Sequence, residues 1–302
     1  MEPLHKKEFV ICNACLTAGR ALAQRELMRR SGYSLGTINK LVRNLTERGL
    51  LGADGITEEG RKAMEPYRVR RAIFIAAGFG SRLAPVTLDI PKPLVTVNGK
   101  RLIDGLIDAV LAAGIPEIVV VRGYKAEQFD VLLEKYPMIR FVENPDFAEA
   151  NNILSALRVK DLLQNAYIFD ADLLLHSPEL IAPYHYESNF LGIYCERTDD
   201  WCFPVKNGYI VEERRGGLDC YQVIGISYWN AEDGRKLSED IPLVASQPGG
   251  REFYWEQVPM WVLKDKYKVA IRPCLGTDIE EIDTFSELKA LDPSYENYGG
   301  TK

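Results

Sequence analysis

Apolar and polar positions follow two different patterns along the chain, and the change comes near residue 68. Before it, apolar residues recur every three or four positions, which predicts helices over residues 9–22, 24–31 and 34–48. Ser34 is a suitable N-cap for the third helix, and Gly49 is suited to end it. Two short apolar pieces then flank Asp54 and Gly55, which predicts a two-stranded hairpin.

Continuous apolar runs replace this pattern after residue 68. The first spans residues 71–77, and such runs are typical of parallel strands buried on both faces. Strands are also predicted at 117–121, 139–142 and 166–169, alternating with helices at 103–113, 126–135 and 152–163. Segments 191–195, 209–212, 221–229 and 267–273 predict strands at a mixed or antiparallel edge. We therefore predict a doubly wound, mostly parallel α/β sheet over residues 68–302, preceded by a small domain over residues 1–67.

Composition is that of a globular protein, with 46% hydrophobic and 26% charged residues. No run approaches the roughly 18 apolar residues of a membrane span, and the first residues lack an apolar signal core, so a cytoplasmic protein without membrane association is expected. The six cysteines are widely spaced, which favours free thiols. Cys12 and Cys15 have no second Cys or His pair nearby, so we interpret them as apolar residues on one helix face rather than zinc ligands.

Residues 1–68 carry 12 Lys and Arg against 8 Asp and Glu, whereas the rest of the chain is acidic within a total charge of −6. This N-terminal segment resembles the winged helix-turn-helix domains of bacterial regulators. The third helix of such a domain would offer polar residues to DNA, here Thr37, Asn39, Lys40, Arg43 and Asn44. Because the positive charge is modest, we favour a docking, regulatory or homodimer-forming role, and DNA binding is the less favoured alternative.

Two local patterns indicate phosphate and metal chemistry. The first apolar run leads into Gly78 and Gly80, and glycines let backbone N–H groups approach phosphates. The loop is neither a P-loop, since no Gly-Lys-Ser/Thr follows, nor a dinucleotide fingerprint, since Leu83 replaces the third glycine; taken alone, it also fits a structural turn. Asp170 and Asp172 follow another apolar run, where carboxylates suit Mg²⁺ but also form caps and turns.

Residues 76–94 as a whole resemble the signature of the sugar-nucleotide pyrophosphorylase and cytidylyltransferase superfamily. The resemblance implies a loop that binds the base and phosphates of a nucleotide, formed by Ala77, Gly78, Gly80 and Ser81. It further implies that Arg82 and Lys92 contact the triphosphate and that Asp172 binds Mg²⁺, with Asp170 beside it. These roles agree with the chemistry, because nucleotidyl transfer requires mainly positioning and neutralisation of phosphate charge.

Segments 123–129, 143–145, 151–155, 225–229, 254–256 and 281–284 narrow the resemblance to CTP:phosphocholine cytidylyltransferases. It implies that Glu256 is the second metal carboxylate, at a position usually occupied by Asp, and that Asn152 and Ser155 line the nucleotide site. Ring faces hold a quaternary ammonium through cation–π contacts. The resemblance accordingly implies a choline or amine pocket among four aromatic residues, each of which could instead serve packing: Trp201, Trp229, Tyr254 and Trp255.

The expected reaction is Mg²⁺-dependent, in-line transfer from CTP to phosphocholine, which yields CDP-choline and pyrophosphate without a covalent intermediate. One alternative acceptor is 2-aminoethylphosphonate or phosphoethanolamine, whose primary ammonium would prefer carboxylates over a full aromatic cage. Another alternative is a sugar 1-phosphate uridylyltransferase or thymidylyltransferase. A DNA-binding regulator with a metabolite-sensing, transferase-like domain is a further hypothesis, but a sensor need not retain the loop, Lys92 and the carboxylates.

The segment from Glu281 to Glu287 is interpreted as structural rather than catalytic. Thr284 and Glu287 have the spacing of a capping box, which predicts the start of the last helix. The three histidines show no spacing typical of a catalytic triad or a metal site.

Overall fold

The computed structural model describes residues 2–298. The chain divides into two compact units, of which the first comprises Met1–Arg68 with Tyr184–Tyr186 and the second comprises Val69–Pro183 and Glu187–Lys302. Within the described residues, no helix combines the length and apolar character needed to cross a membrane.

The first unit consists of helices and one small hairpin. The helices are α1 (Lys6–Ala18), α2 (Gln24–Ser31), α3 (Leu35–Glu47) and α4 (Glu58–Met64), and β1 (Leu51–Gly52) pairs antiparallel with β2 (Gly55–Ile56). The Ser34 hydroxyl accepts a hydrogen bond from the Thr37 N–H, so the predicted N-cap of α3 is confirmed. α1 ends earlier than predicted because Gly19 adopts the left-handed conformation. Assignment of this unit to the winged helix-turn-helix class stays a prediction.

Cys12 and Cys15 lie in the apolar core of the first unit, together with residues of α2, α3 and the hairpin. Burial raises the pKa of the Cys12 thiol to about 12, so this sulfur remains protonated and apolar at neutral pH. The interpretation of the pair as packing residues is confirmed.

A nine-stranded mixed sheet forms the centre of the second unit. Its parallel part consists of β8 (Ala166–Asp170), β3 (Arg71–Ile75), β6 (Glu117–Arg122) and β7 (Arg140–Glu143), in that spatial order. On the other side of β8 lie β13 (Arg214–Trp229), β10 (Asn189–Phe203), β14 (Ala270–Cys274), β12 (Tyr209–Ile210) and β11 (Val205–Lys206). Two short ladders join β4 (Thr96–Val97) to β5 (Lys100–Arg101) and β9 (Leu173–Leu175) to β15 (Ile279–Glu281). The predicted α/β class with a mixed sheet is confirmed.

Both faces of the sheet are buried, which accounts for the continuous apolar runs in the sequence. Phe74 and Val120 contribute to the core on one face, whereas Ile73 and Val119 contribute to the core on the other. Residues of α5 (Leu102–Ala112) belong to the first core, and those of α6 (Ile153–Arg158) and α7 (Ala231–Ala245) belong to the second. The last helix, α8 (Phe285–Leu291), contributes to a smaller cluster.

Three helical segments differ from their prediction. Residues 126–135 form a 3₁₀ helix over Ala126–Glu134, and residues 152–163 divide into α6 and a 3₁₀ turn. The helix α7 was not predicted, because its sequence contains Gly234 and Pro242, which lower helix propensity. Gly234 is required there by close packing, since a Cβ would lie 2.3 Å from the Leu163 carbonyl oxygen. Tertiary contact thus overrides the local preference.

Candidate active site

A cleft of about 700 Å³ opens where β3 and β8 end. This is the edge at which an open α/β sheet binds ligands, because the loops that follow its parallel strands converge there. Most of the residues proposed from the sequence line the cleft, namely Ala77, Gly78, Gly80, Ser81, Arg82, Lys92, Asn152, Ser155, Asp170, Asp172, Trp201, Tyr254 and Glu256.

The glycine loop lies directly against the buried lysine. Gly80 has a φ of 61°, and a Cβ at this position would lie 2.7 Å from the Lys92 Cβ, so both the backbone conformation and the space require glycine. Gly78 has open space around its Cα instead. The Gly80 carbonyl accepts a hydrogen bond from the Thr87 hydroxyl, which ties the loop to the following turn.

Lys92 and Arg82 converge on carboxylates of the cleft. Lys92 is 7% exposed, and its Nζ lies 2.7 Å from Asp172 Oδ2 and 3.2 Å from Asp283 Oδ1. Burial opposes its charge, but Asp172 and Asp283 outweigh that effect and raise the pKa of Lys92, which therefore stays protonated. Arg82 donates to both Asp283 oxygens, at 2.7 and 2.9 Å. Lys92 and Arg82 thus meet at the same carboxylate, that of Asp283.

Carboxylates are crowded in the same cleft: Asp170, Asp172, Asp200, Glu213, Glu256, Glu281 and Asp283. Burial and the nearby Asp172 raise the pKa of Glu281 to about 9, and burial and Glu213 raise the pKa of Glu256 to about 8. Burial, with Glu256 and Asp172, also raises the pKa of Asp170. Burial and repulsion between these carboxylates disfavour their charged forms, so a cation bound among them would stabilise the cluster.

These carboxylates are suited to hold Mg²⁺, which prefers oxygen ligands. Ligand oxygens of Asp172, Glu281 and Asp283 lie within 4.8 Å of one another. Asp172 Oδ1 and Glu256 Oε2 are buried without hydrogen-bond partners in the described chain, as expected of oxygens that await a cation. Asp172 is common to this cluster and to the set implied by the sequence, in which Glu256 and Asp170 were its companions.

Glu281 and Asp283 were missed as cleft residues because their segment was interpreted only as a helix start. That part of the prediction is confirmed, since Thr284 and Glu287 form a capping box for α8. The two carboxylates just before the cap reach the cleft because β15 pairs with β9, which places Glu281 opposite Leu173, the residue after Asp172. No local signal in the sequence reveals this pairing, which joins segments more than a hundred residues apart.

Asn152 and Ser155 line the cleft at the start of α6. The Asn152 side-chain oxygen accepts a hydrogen bond of 2.8 Å from the backbone N–H of Trp255. The buried Ser155 hydroxyl accepts one of 3.0 Å from the side-chain amide of Asn144. Asn144 is also a cleft residue, and it was not proposed from the sequence. Both proposed side chains are thus fixed by hydrogen bonds to neighbouring segments.

The four aromatic residues of the expected amine pocket divide into two pairs. Trp201 and Tyr254 line the cleft with their rings in a T-shaped contact at 6.1 Å. Trp229 and Trp255 are instead buried in the core, where their rings meet at 5.9 Å. The placement of this second pair in the pocket is therefore corrected. The Trp229 indole N–H donates a hydrogen bond to the Ser227 hydroxyl, and the Trp255 ring stacks on Phe190, so both residues serve packing.

Comparison with known proteins gives a consistent result for the second unit. The family model described as nucleotidyl transferase matches residues 71–137. The 2-aminoethylphosphonate cytidylyltransferase of Lancefieldella rimae is 36% identical over 228 residues, which cover 74% of this chain and 92% of that protein. The choline-phosphate cytidylyltransferase of Streptococcus pneumoniae is 33% identical over 236 residues, which cover 75% of this chain and 99% of that protein.

Solved structures resemble the same region. The CTP:phosphocholine cytidylyltransferase from Streptococcus pneumoniae superposes with a TM-score of 0.68 at 31% identity, covering 75% of this chain and 99% of that one. The inositol-1-phosphate CTP transferase of T. maritima shares the fold, with a TM-score of 0.58 at 18% identity, covering 78% of this chain and 99% of that one.

Proposed function

Because the chain belongs to the nucleotidyltransferase family and lies close to its cytidylyltransferases, we propose that it transfers CMP from CTP to a small amine that carries a phosphate or phosphonate group. Phosphocholine and 2-aminoethylphosphonate are acceptors of this kind. The observation that carries the proposal is the meeting, in one cleft, of the glycine loop, Lys92, Arg82, the carboxylates and the ring pair Trp201 and Tyr254.

In the proposed reaction, an acceptor phosphate or phosphonate oxygen attacks the α-phosphorus of CTP in line. The bond between the α-phosphorus and the bridging oxygen to the β-phosphate breaks, and pyrophosphate leaves. Loop amides around Gly78 and Gly80 orient the triphosphate, and Lys92 and Arg82 stabilise the charge that develops on it. No side chain forms a covalent intermediate, so the main contribution of the chain is to hold both substrates in the attacking geometry.

Asp172 would hold the metal ion, together with carboxylates from Glu256 and Asp170 or from Glu281 and Asp283. When bound, Mg²⁺ neutralises phosphate charge at the reacting centre. Lys92 and Arg82 are paired with carboxylates of the cleft, so each retains a charged partner until phosphate oxygens replace it. This exchange keeps the buried lysine protonated throughout.

The amine end of the acceptor would lie at Trp201 and Tyr254. Ring faces attract a cationic head through their quadrupoles, and the surrounding carboxylates add negative potential. A sugar phosphate has no cationic group to match the carboxylates that the metal ion would leave unneutralised. The charge of the cleft therefore supports an amine over a sugar as the acceptor.

Pyrophosphate release tests the proposal when CTP, UTP, ATP and dTTP are each combined with phosphocholine, 2-aminoethylphosphonate, phosphoethanolamine and sugar 1-phosphates. We expect Mg²⁺-dependent turnover with CTP and phosphorylated amines, and its loss in Asp172→Asn. Turnover only with sugar 1-phosphates and UTP or dTTP would replace the proposal with a sugar-nucleotide function. Absence of turnover in every combination would favour the metabolite-sensing regulator.

A further inference from the structure

Glu213 immediately precedes β13, and its carboxylate has no partner in the described chain. The residue is 5% exposed and lines the cleft, yet no hydrogen bond or ion pair from residues 2–298 reaches its side-chain oxygens, and Oε2 is shielded from solvent. Burying a carboxylate in this way is strongly unfavourable unless a partner is supplied. A ligand of the cleft can supply such a partner.

The surroundings of Glu213 define the charge of that ligand. Burial and Asp170 raise the pKa of Glu213 to about 7, and Glu213 in turn contributes to the raised pKa of Glu256. Lys92 and Arg82 are engaged by Asp172 and Asp283. Among the described cleft residues, no cation lies within ion-pair distance of Glu213. Arg215, an exposed residue of the cleft, likewise forms no ion pair with Glu213 in the described chain. A cationic ligand would therefore stabilise this cluster.

The aromatic residues define which kind of cation is favoured. A trimethylammonium group has no N–H, so it relies on ring faces around it. Four described aromatic side chains line the cleft, whereas Trp229 and Trp255 are buried in the core. Phe79 lies in the glycine loop and its ring contacts Phe147 at 5.2 Å, which leaves Trp201 and Tyr254 as the ring pair outside that loop. A primary ammonium offers three N–H donors, which the unpartnered carboxylate of Glu213 can accept.

On the basis of the proposed function, we propose that Glu213 binds the ammonium group of the acceptor and selects a primary ammonium over a trimethylammonium. The contact would supply the buried carboxylate with the donors it lacks. Trp201 and Tyr254 line the same cleft, and Trp201 lies opposite Arg215, two residues from Glu213, in the β10–β13 ladder, so their rings are available to the same group. Each methyl group on the nitrogen removes a donor and adds bulk beside a carboxylate, so preference should fall stepwise with methylation.

The first experiment uses the full wild-type chain and acceptors that differ only in methylation. Pyrophosphate release is measured with CTP and Mg²⁺ for phosphoethanolamine, its monomethyl and dimethyl derivatives, and phosphocholine. We expect kcat/KM to fall at each step and about tenfold or more overall, the range for hydrogen bonds to a charged group. Equal or better turnover of phosphocholine would overturn the proposal.

The second experiment uses Glu213→Gln, with Glu212→Gln as the matched control. Glu212 is adjacent, but its carboxylate pairs with Lys264 at 2.7 Å and does not line the cleft. In Glu213→Gln, the KM for phosphoethanolamine should rise about ten- to a hundredfold, while phosphocholine is affected less, so the preference collapses. Glu212→Gln should retain the wild-type preference.

Two other outcomes would contradict the proposal. An equal loss for all four acceptors, with a raised Mg²⁺ requirement, would make Glu213 a metal ligand, and an unchanged preference would make it structural. If Glu213→Gln does not fold, the methylation series on the wild type decides the question. Failure of the proposed function is distinguishable, because it would abolish pyrophosphate release by the wild type with CTP and every amine.

Discussion

Asp172 is a candidate metal ligand from both the sequence and the structure, since it belongs to both candidate sets of metal ligands. Asp172→Asn should lower kcat by about a hundredfold or more, because an amide is a poor ligand for Mg²⁺ in this setting. Its melting temperature should stay close to that of the wild type, since Lys92 keeps Asp283 as a partner. Pyrophosphate release and thermal denaturation measure the two effects, and near-normal turnover in the folded variant would disprove the assignment.

At Glu213, the raised pKa predicts a pH-dependent stability whose sign is defined. Burial and Asp170 raise the pKa from 4.5 to about 7, so the folded state binds more protons than the unfolded state between these values. The free energy of unfolding therefore falls as the pH rises through this window. The carboxylates that repel the charged form of Glu213 are those of Asp170 and Glu256. Glu213→Gln should melt above the wild type by a margin that is larger at pH 8 than at pH 5.

Thermal denaturation in EDTA checks this expectation without metal ions. Glu212→Gln serves as the control, because Lys264 lowers the pKa of Glu212 and its removal gives no such gain. A stability margin for Glu213→Gln that does not change between the two pH values would show that the carboxylate is not strained in the folded protein.

At the level of elements, two nearby residues are expected to have separate roles: Glu281 belongs to the β9–β15 ladder and lines the cleft, whereas Thr284 caps α8. Thr284→Ala removes the cap and should lower stability by about 1 kcal/mol, with kcat largely retained. Glu281→Gln should lower kcat without loss of stability, because it removes a buried, repelled carboxylate from the cleft. Denaturant melts and pyrophosphate release on both variants check this, and a loss of kcat in Thr284→Ala equal to that in Glu281→Gln would argue against separate roles.

At the level of the whole molecule, the open question about the first unit is whether it binds DNA. Several of its cations are already paired, since Arg43 contacts Glu47, Arg48 contacts Glu8, and Arg20 and Arg30 share Glu26. This pairing weakens the positive electrostatic potential of the first unit, which was already expected to be modest from its amino-acid composition. We therefore expect the full chain to show no submicromolar, salt-sensitive binding to DNA duplexes in fluorescence anisotropy. Such binding, lost in a Lys40→Ala/Arg43→Ala variant, would instead support a DNA-binding role.

The sequence by itself determined the class of fold, because periodicity is a local property. The roles of the glycine loop and Lys92 were implied by the resemblance of residues 76–94 to a known family, since the loop alone also fitted a structural turn. The sequence also determined that Asp170 and Asp172 end a buried strand, since both follow one apolar run. The tertiary structure decided which distant side chains share the cleft. The β9–β15 pairing brings Glu281 beside Asp172, and core packing withdraws Trp229 and Trp255 from the cleft. Burial leaves Glu213 without a partner among residues 2–298. These outcomes depend on strand register and packing between remote segments, and no spacing along the chain specifies them.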